Sequence, residues 1–270
     1  MKPVERKTNP IPEAERKRLQ LSILDAIDGF CSRNGIRYFL AHGTLLGAIR
    51  HDGYIPWDDD IDIWMPRPDY DRFMGSFQSD DEPWLRAIDF KLDAAYTLPF
   101  GKVHDVRTVM DEELYDENRF GVYVDVFPLD GFSGMRQIRA GRFLRTLLNV
   151  KRSKWSSART FAKNGAMSVA RLFLSWLPVG SILRKIDLNA RGKLYDGAER
   201  VIVATIVDID KAVFPAAAFS ASARHVFEGR SLPVPVDWDA VLRALFGDYM
   251  TPPPPDKRAS THHSTAYWRE

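Results

Sequence analysis

Helices and strands in mixed order are what this sequence predicts, on three observations. Apolar residues at helical spacing fill residues 12–34. Short apolar runs of strand type recur at 36–41, around 57–64, at 97–110 and at 120–131. A long basic stretch, 136–193, returns to helical spacing.

Taken in order, Leu19, Ile23, Leu24, Ile27 and Phe30 define one face of the first helix, and "RNG" (33–35) stops it with Gly35 at the C-cap. "IRYFLA" (36–41) is a short strand that ends at "HGT". "TLLGAIRH" (44–51) reads as a short helix capped by Thr44, and "DGYIP" (52–56) is turn chemistry. "WDDDIDIW" (57–64) reads as a second strand, in which alternation places Asp58, Asp60 and Asp62 on one face and Trp57, Ile61 and Ile63 on the core face. "TLPFGKVHDVRTVM" and "FGVYVDVFPLDG" are further strands, the latter with Asp125 between Val124 and Val126. Phe143, Leu144, Leu147 and Leu148 beside Arg142, Arg145, Lys151 and Arg152 mark helix in the basic stretch. The C-terminal part reads as short helices and loops, with "PPPP" (252–255) as a stiff surface spacer.

A chain of 270 residues, 45% apolar, can bury a real core as one large domain or two small ones. The net charge of +2 gives no global attraction to nucleic acid, and none is expected as a partner. Cys31 is the sole cysteine, which rules out an internal disulfide and fits a reducing compartment. The N-terminus lacks a signal-peptide core, and the longest apolar stretch (173–183) is broken by Pro178, too short for the ~20 residues a span requires. A cytoplasmic location without a transmembrane helix is expected. Charge is unevenly placed: residues 136–193 hold 14 Lys/Arg against one acid, Asp187, and the remainder carries a net −11. Basic residues interspersed with Phe143, Leu147, Trp155, Phe173 and Trp176 suit contact with an anionic membrane surface.

The aspartates need a reason. Carboxylates on alternate strand residues sit ~7 Å apart and repel by roughly 2 kcal/mol per pair at an effective dielectric near 20. They either protonate or share a cation, and Mg²⁺ (or Mn²⁺) commonly bridges carboxylates to substrate phosphates. An EF-hand is excluded, because its sixth position is Ile63 rather than Gly and its twelfth is Asp69 rather than Glu. Just upstream, Gly43-Thr44 at a strand-to-helix turn offers backbone N–H groups to an anion. An anion cradle followed by an acid pair suits the diphosphate of a nucleotide-activated substrate. Arg50, Lys102 and Arg107 are candidates to neutralise phosphate. His42 and His104 read as structural hydrogen bonders, His262 and His263 as residues of a tail that closes over the site, and Tyr54, Trp57 and Trp64 as core aromatics, with a cage around a cation as the alternative.

The string "HGTLLGAIRHDGYIPWDDDIDIWMPRPDYDRF" (42–73) resembles the signature of the LicD family of phosphocholine and related alcohol-phosphate transferases. "GKVHDVRT" (101–108), "GVYVDVFPLDG" (121–131), "FEGRSLPVPVDWDAVLRALFGDYMTPPPPDKR" (227–258) and "HH…AYW" (262–268) extend the resemblance over most of the chain, weakest at 132–222. It implies an α+β, nucleotidyltransferase-like fold: one domain over 1–270, its core at 12–131 and 195–270, with a basic helical insertion at about 132–194. It also implies a Mg²⁺-dependent reaction in which a CDP-alcohol donor gives its alcohol phosphate to a glycan hydroxyl and releases CMP. Asp60 and Asp62 match the family's metal pair and Asp125 its third acid, as ligand or general base. Asp58 is a further ligand or base. Trp64 and His104 depart from the residues usual in relatives. A nucleotidyltransferase making an NDP-sugar, and a non-catalytic glycan or membrane binder, are the rival readings.

Overall fold

Helix α1 (Glu13–Asn34) follows the predicted periodicity, and Gly35 closes it at φ +60°, its N–H reaching the Cys31 carbonyl. The computed structural model describes residues 9–79, 81–112, 120–153, 161–206, 209–254, 258 and 264–269. Strand β1 (Phe39–Leu40) is followed by α2 (His42–His51), β2 (Asp62–Pro66), α3 (Arg67–Ser76), β3 (Leu85–Ile88), β4 (Gly101–Asp105), β5 (Thr108–Glu112) and β6 (Tyr123–Gly131). The basic stretch holds α4 (Met135–Arg152), α5 (Phe161–Phe173) and α6 (Val179–Ala190). Then come β7 (Arg200–Ile202), β8 (Val213–Pro215), a 3₁₀ turn, the hairpin β9 (Ser222–Phe227) and β10 (Arg230–Pro235), α7 (Trp238–Phe246) and β11 (Ser264–Trp268).

The main sheet runs β1-β2-β6-β4-β3, with β7 and β8 continuing from the far end of β6. β2 and β6 are parallel, and the other pairings of this sheet are antiparallel. β6 is buried along its whole length, as expected of a central strand covered on both faces. α1 and α3 supply Ile23, Leu24, Ile27, Phe30 and Phe73 to the core, while β10, α7 and the 3₁₀ turn supply Leu232, Val241 and Phe219. The architecture is α+β, with the mixed sheet flanked by helices.

Several local expectations are corrected. α2 begins at His42 with Ala41 at its N-cap, so Thr44 lies inside the helix and does not cap it. β2 begins only at Asp62, so Asp58 and Asp60 lie in the preceding loop, and strand alternation does not govern them. Asp is a poor strand former, and pairing starts where Ile61 accepts from the Asp125 N–H at 2.9 Å. The run 97–110 bends at Val106-Arg107 into two strands. The C-terminal part is richer in strands than expected. "SARHVF" and "RSLPVP" form a hairpin whose two-residue turn, Glu228-Gly229, holds φ +50° and +74°, the geometry that matches strand twist.

Arg67 locks the lower end of β2 to β6 and to the basic helices. Its Nε and Nη2 donate to both oxygens of Asp130 at 2.7 and 2.6 Å, and Nη1 donates to Asp187 at 3.1 Å. Asp187 also meets Arg191 at 2.9 Å and Lys91 at 3.2 Å. Burial works to raise the Asp187 carboxyl, but Arg67, Arg191 and Lys91 prevail and hold it below its ordinary value. The one acid of segment 136–193 is therefore one of the ties that hold that segment to the core. Because Asp130 is 1% exposed, Arg67→Met strands a buried carboxylate and is expected to cost about 3 kcal/mol in urea unfolding.

Candidate functional site

Parallel pairing places Asp62 of β2 in register with Asp125 of β6, so the two carboxylates leave the same face of neighbouring strands. Each acid is held by its own contacts. The Asp62 N–H donates to Thr44 Oγ1 at 2.9 Å, and His42 Nδ1 lies 3.2 Å from Asp62 Oδ2. Asp58 caps its own turn: its N–H reaches the Ile55 carbonyl at 2.8 Å, and Oδ1 accepts from the Asp59 N–H at 3.2 Å. Asp59 turns away to meet Arg16 of α1 at 2.8 Å, while Gln20 donates to its carbonyl at 3.0 Å. Asp125 pairs with the ammonium of Lys102 at 2.5 Å, and that ammonium also lies 3.3 Å from the centre of the Tyr123 ring.

The charges crowd one another. Burial pushes the Asp60 carboxyl well above its ordinary range, and Asp62, Asp58 and Asp125 push it further. Asp58 is raised by burial and then by Asp62. Gly43 makes this packing possible, because a Cβ there would lie 2.3 Å from Asp58 Oδ2. Backbone strain accompanies the crowding: His42 opens α2 at φ +41°, a conformation non-glycine residues rarely take. Its ring packs edge-on against Trp64 and Phe127.

Asp58, Asp60, Asp62 and Asp125 face an open cleft of about 1020 Å³, which Gly43, Arg50, Trp57 and Lys102 also line. Arg145, Asn149 and Arg152 of α4 line it too, with Lys211 and Tyr249. The cleft therefore joins an acidic region to a basic one. Arg145, Asn149 and Arg152 at i, i+4 and i+7 share one helix face. That spacing is legible in the sequence, but the excess of charge over the whole run masks it and points to a lipid-facing surface.

Of the nine predicted site residues, the structure gathers seven at the cleft: Asp58, Asp60, Asp62, Asp125, Gly43, Arg50 and Lys102. Thr44 is 3% exposed and holds the start of β2 through its hydroxyl, a positioning role rather than a direct one. Arg107 is not brought to the cleft. It pairs with Asp105 and stacks 3.9 Å from the Trp84 ring centre. Arg50 donates to the Tyr249 carbonyl at 2.5 Å, and burial and the nearby Arg258 lower its pKa.

For Trp64 and Tyr54 the core reading holds over the cage. Trp64 is fully buried against Phe214 and Phe219, and the Tyr54 hydroxyl donates to Gln20, so of the three only Trp57 lines the cleft. His262 and His263 lie outside the described residues. His104 is structural: buried, it accepts from the Gly121 N–H at 3.0 Å.

Among the described residues no three carboxylate, imidazole or thiol side chains already converge as a metal cage. The donor set is nonetheless all hard oxygen, which suits Mg²⁺ or Mn²⁺, and its mutual repulsion is what a cation would relieve.

The fold is that of a nucleotidyltransferase-type domain. Residues 35–159 match the LicD/FKTN/FKRP nucleotidyltransferase domain. It is similar to the lipopolysaccharide cholinephosphotransferase LicD of Haemophilus influenzae, 28% identical over 261 residues, which cover 94% of this chain and 97% of that protein. A 35-residue segment is 51% identical to the ribitol 5-phosphate transferase FKRP of human, 13% of this chain and 7% of that one. Another of 57 residues is 42% identical to an uncharacterized protein of Rickettsia typhi, covering 21% and 18%.

Two outcomes follow from this geometry. Gly43→Ala meets the mobile end of a carboxylate rather than backbone, so turnover is expected to fall at least tenfold while Tm moves by no more than about 2 °C. Burial, followed by the Arg269 charge, lowers the His104 pKa to about 4. The unfolded chain therefore takes up a proton near pH 6.5 that the folded one refuses. This contribution to stability is present above pH 6.5 and is lost as pH falls towards 4, by up to about 3 kcal/mol. His104→Gln should remove that part of the acid slope in denaturant melts.

Proposed function

We propose that this chain transfers an alcohol phosphate, phosphocholine or a relative of it, from a CDP-activated alcohol to a hydroxyl of a cell-surface glycan, releasing CMP. One observation carries the reading: the cleft sets Asp58, Asp60, Asp62 and Asp125 beside Arg50, Lys102, Arg145, Arg152 and Lys211. Such a cleft suits a substrate whose phosphates carry charge and whose acceptor must lose a proton. The names of the relatives, a cholinephosphotransferase and a ribitol 5-phosphate transferase, support the transferred group and a glycan acceptor.

Asp60, Asp62 and Asp125 would hold Mg²⁺ or Mn²⁺, whose chemistry when bound is neutralisation of the donor diphosphate and of the departing CMP. The chain's own residues do the rest. Lys102 pairs with Asp125, and Arg50, Arg145, Arg152 and Lys211 offer donors to phosphate oxygens from the walls. Thr44 fixes the start of β2 and so the position of Asp62. Asp58, the acid next to Gly43, is raised towards neutrality by burial and by Asp62, which suits a group that takes the acceptor proton as its oxygen attacks phosphorus.

Phosphorus NMR with Mg²⁺, a lipid-linked glycan acceptor and a panel of CDP-alcohols tests the reaction. A new phosphodiester with stoichiometric CMP is expected, and Asp62→Asn should lower turnover at least a thousandfold. Pyrophosphate as the product would instead establish the nucleotide-transferring rival. A thermal-shift titration tests the metal apart from activity. Mg²⁺ should raise Tm in the parent but not in Asp60→Asn, which should melt higher than the parent without metal because one repelling charge is gone. Equal shifts in both proteins would remove Asp60 from the metal site.

A further inference from the structure

Among the described residues of the basic segment, the C-terminal half of α5 is left uncovered. Val169, Leu172, Phe173 and Trp176 are 54%, 72%, 76% and 76% exposed. They fall at i, i+3, i+4 and i+7, and the helical turn carries on past Phe173, with the Leu174 N–H bonded to the Ala170 carbonyl at 3.0 Å. They therefore form one apolar ridge along one face. A ridge of two large aromatics and two aliphatics, without a charge in it, is costly to leave in water.

Its surroundings say what covers it. Arg171 lies within the same helix and donates to the Ser153 carbonyl at 3.1 Å, and Lys151 donates to the Leu174 carbonyl at 3.0 Å. Arg184 and Lys185 of α6 are exposed. Segment 136–193 holds 14 bases and one acid, and that acid, Asp187, is committed to Arg67, Arg191 and Lys91. An apolar ridge within a segment of strong net positive charge is complementary to a surface that is apolar inside and anionic outside. A second copy would bring like charge against like charge. We propose that the ridge Val169–Trp176 inserts into the interface of an anionic lipid bilayer. The Lys151 contact ties the ridge to α4, whose Arg145, Asn149 and Arg152 line the cleft, so docking would hold the cleft beside the membrane surface. The inference is independent of the reaction proposed above, and its test needs no turnover.

Purified full-length protein is sedimented with vesicles of phosphatidylcholine alone, or of phosphatidylcholine mixed with phosphatidylglycerol, at low and high salt. The parent should bind the anionic vesicles roughly tenfold more tightly than the neutral ones, and less tightly at high salt. The double variant Leu172→Glu/Trp176→Glu should lose roughly tenfold in that binding. Both positions are exposed, so its far-UV circular dichroism and Tm should match the parent. Leu194→Glu, an exposed apolar site outside the ridge (80% exposed), should bind like the parent. Failure of the parent to bind anionic vesicles, or parent-like binding by the double variant, would overturn the proposal. So would a dimer in solution that the double variant dissociates, without vesicle binding, because the ridge would then belong to a second copy.

Discussion

The parallel pairing of β2 with β6 is the constraint from which the rest of the molecule follows. At one end its register brings Asp62 beside Asp125. At the other, the residue after β2 is Arg67 and the penultimate residue of β6 is Asp130, and these close a bidentate ion pair. A slip of one residue would turn Asp62 to the opposite face and separate Arg67 from its partner. Parallel neighbours cannot be joined by a tight hairpin. The crossover supplies α3, β3, β4 and β5, and β4 in turn places Lys102 opposite Asp125.

Holding four carboxylates together opposes folding, and the structure shows how the opposition is contained. One acid of the run, Asp59, is diverted to Arg16. One charge is matched by Lys102. The backbone of the run is pinned by Ile55, Thr44 and Gln20, so the side chains cannot disperse. What remains is a raised Asp58 and a strongly raised Asp60, residual repulsion of the kind that the cation proposed above would relieve. Sites of this kind trade stability for chemistry. The left-handed backbone of His42, at the helix start that faces Asp62, is a second instance of the same trade.

Where periodicity was strong, the sequence was readable. The α1 face, the terminating Gly35 and β6 with its embedded Asp125 follow from spacing alone. The acid run was readable as chemistry but misread as geometry. Alternation predicts three carboxylates on one strand face, whereas a loop and a neighbouring strand bring them together, a tertiary arrangement that local pattern does not encode. Gly43 reads as a phosphate cradle, and the structure adds that it leaves room for Asp58, which depends on a fold back across fifteen residues of chain. Arg107 is a candidate by charge alone, and charge does not say that Asp105 and Trp84 claim it. The hairpin β9–β10 carried its signal openly: two alternating runs joined by Glu-Gly.

The basic segment joins these threads. Positive charge over 136–193 reads as a uniform property of the sequence, but the structure divides it among three tasks. Arg191 meets Asp187 and Asp71 and anchors the segment. Arg145 and Arg152 turn inward and become a wall of the cleft, opposing the acids in sign. Lys151 and Arg171 join α4 to the ridge helix, donating to the Leu174 and Ser153 carbonyls. One helix, α4, serves two of these tasks, with residues 145, 149 and 152 on the cleft and residue 151 at the ridge. Because neighbouring residues of a helix point about 100° apart, a single rigid element can face two surroundings at once. A displacement of α4 caused at the ridge would therefore be felt at the cleft wall, since both sets of contacts sit within the helix's last two turns.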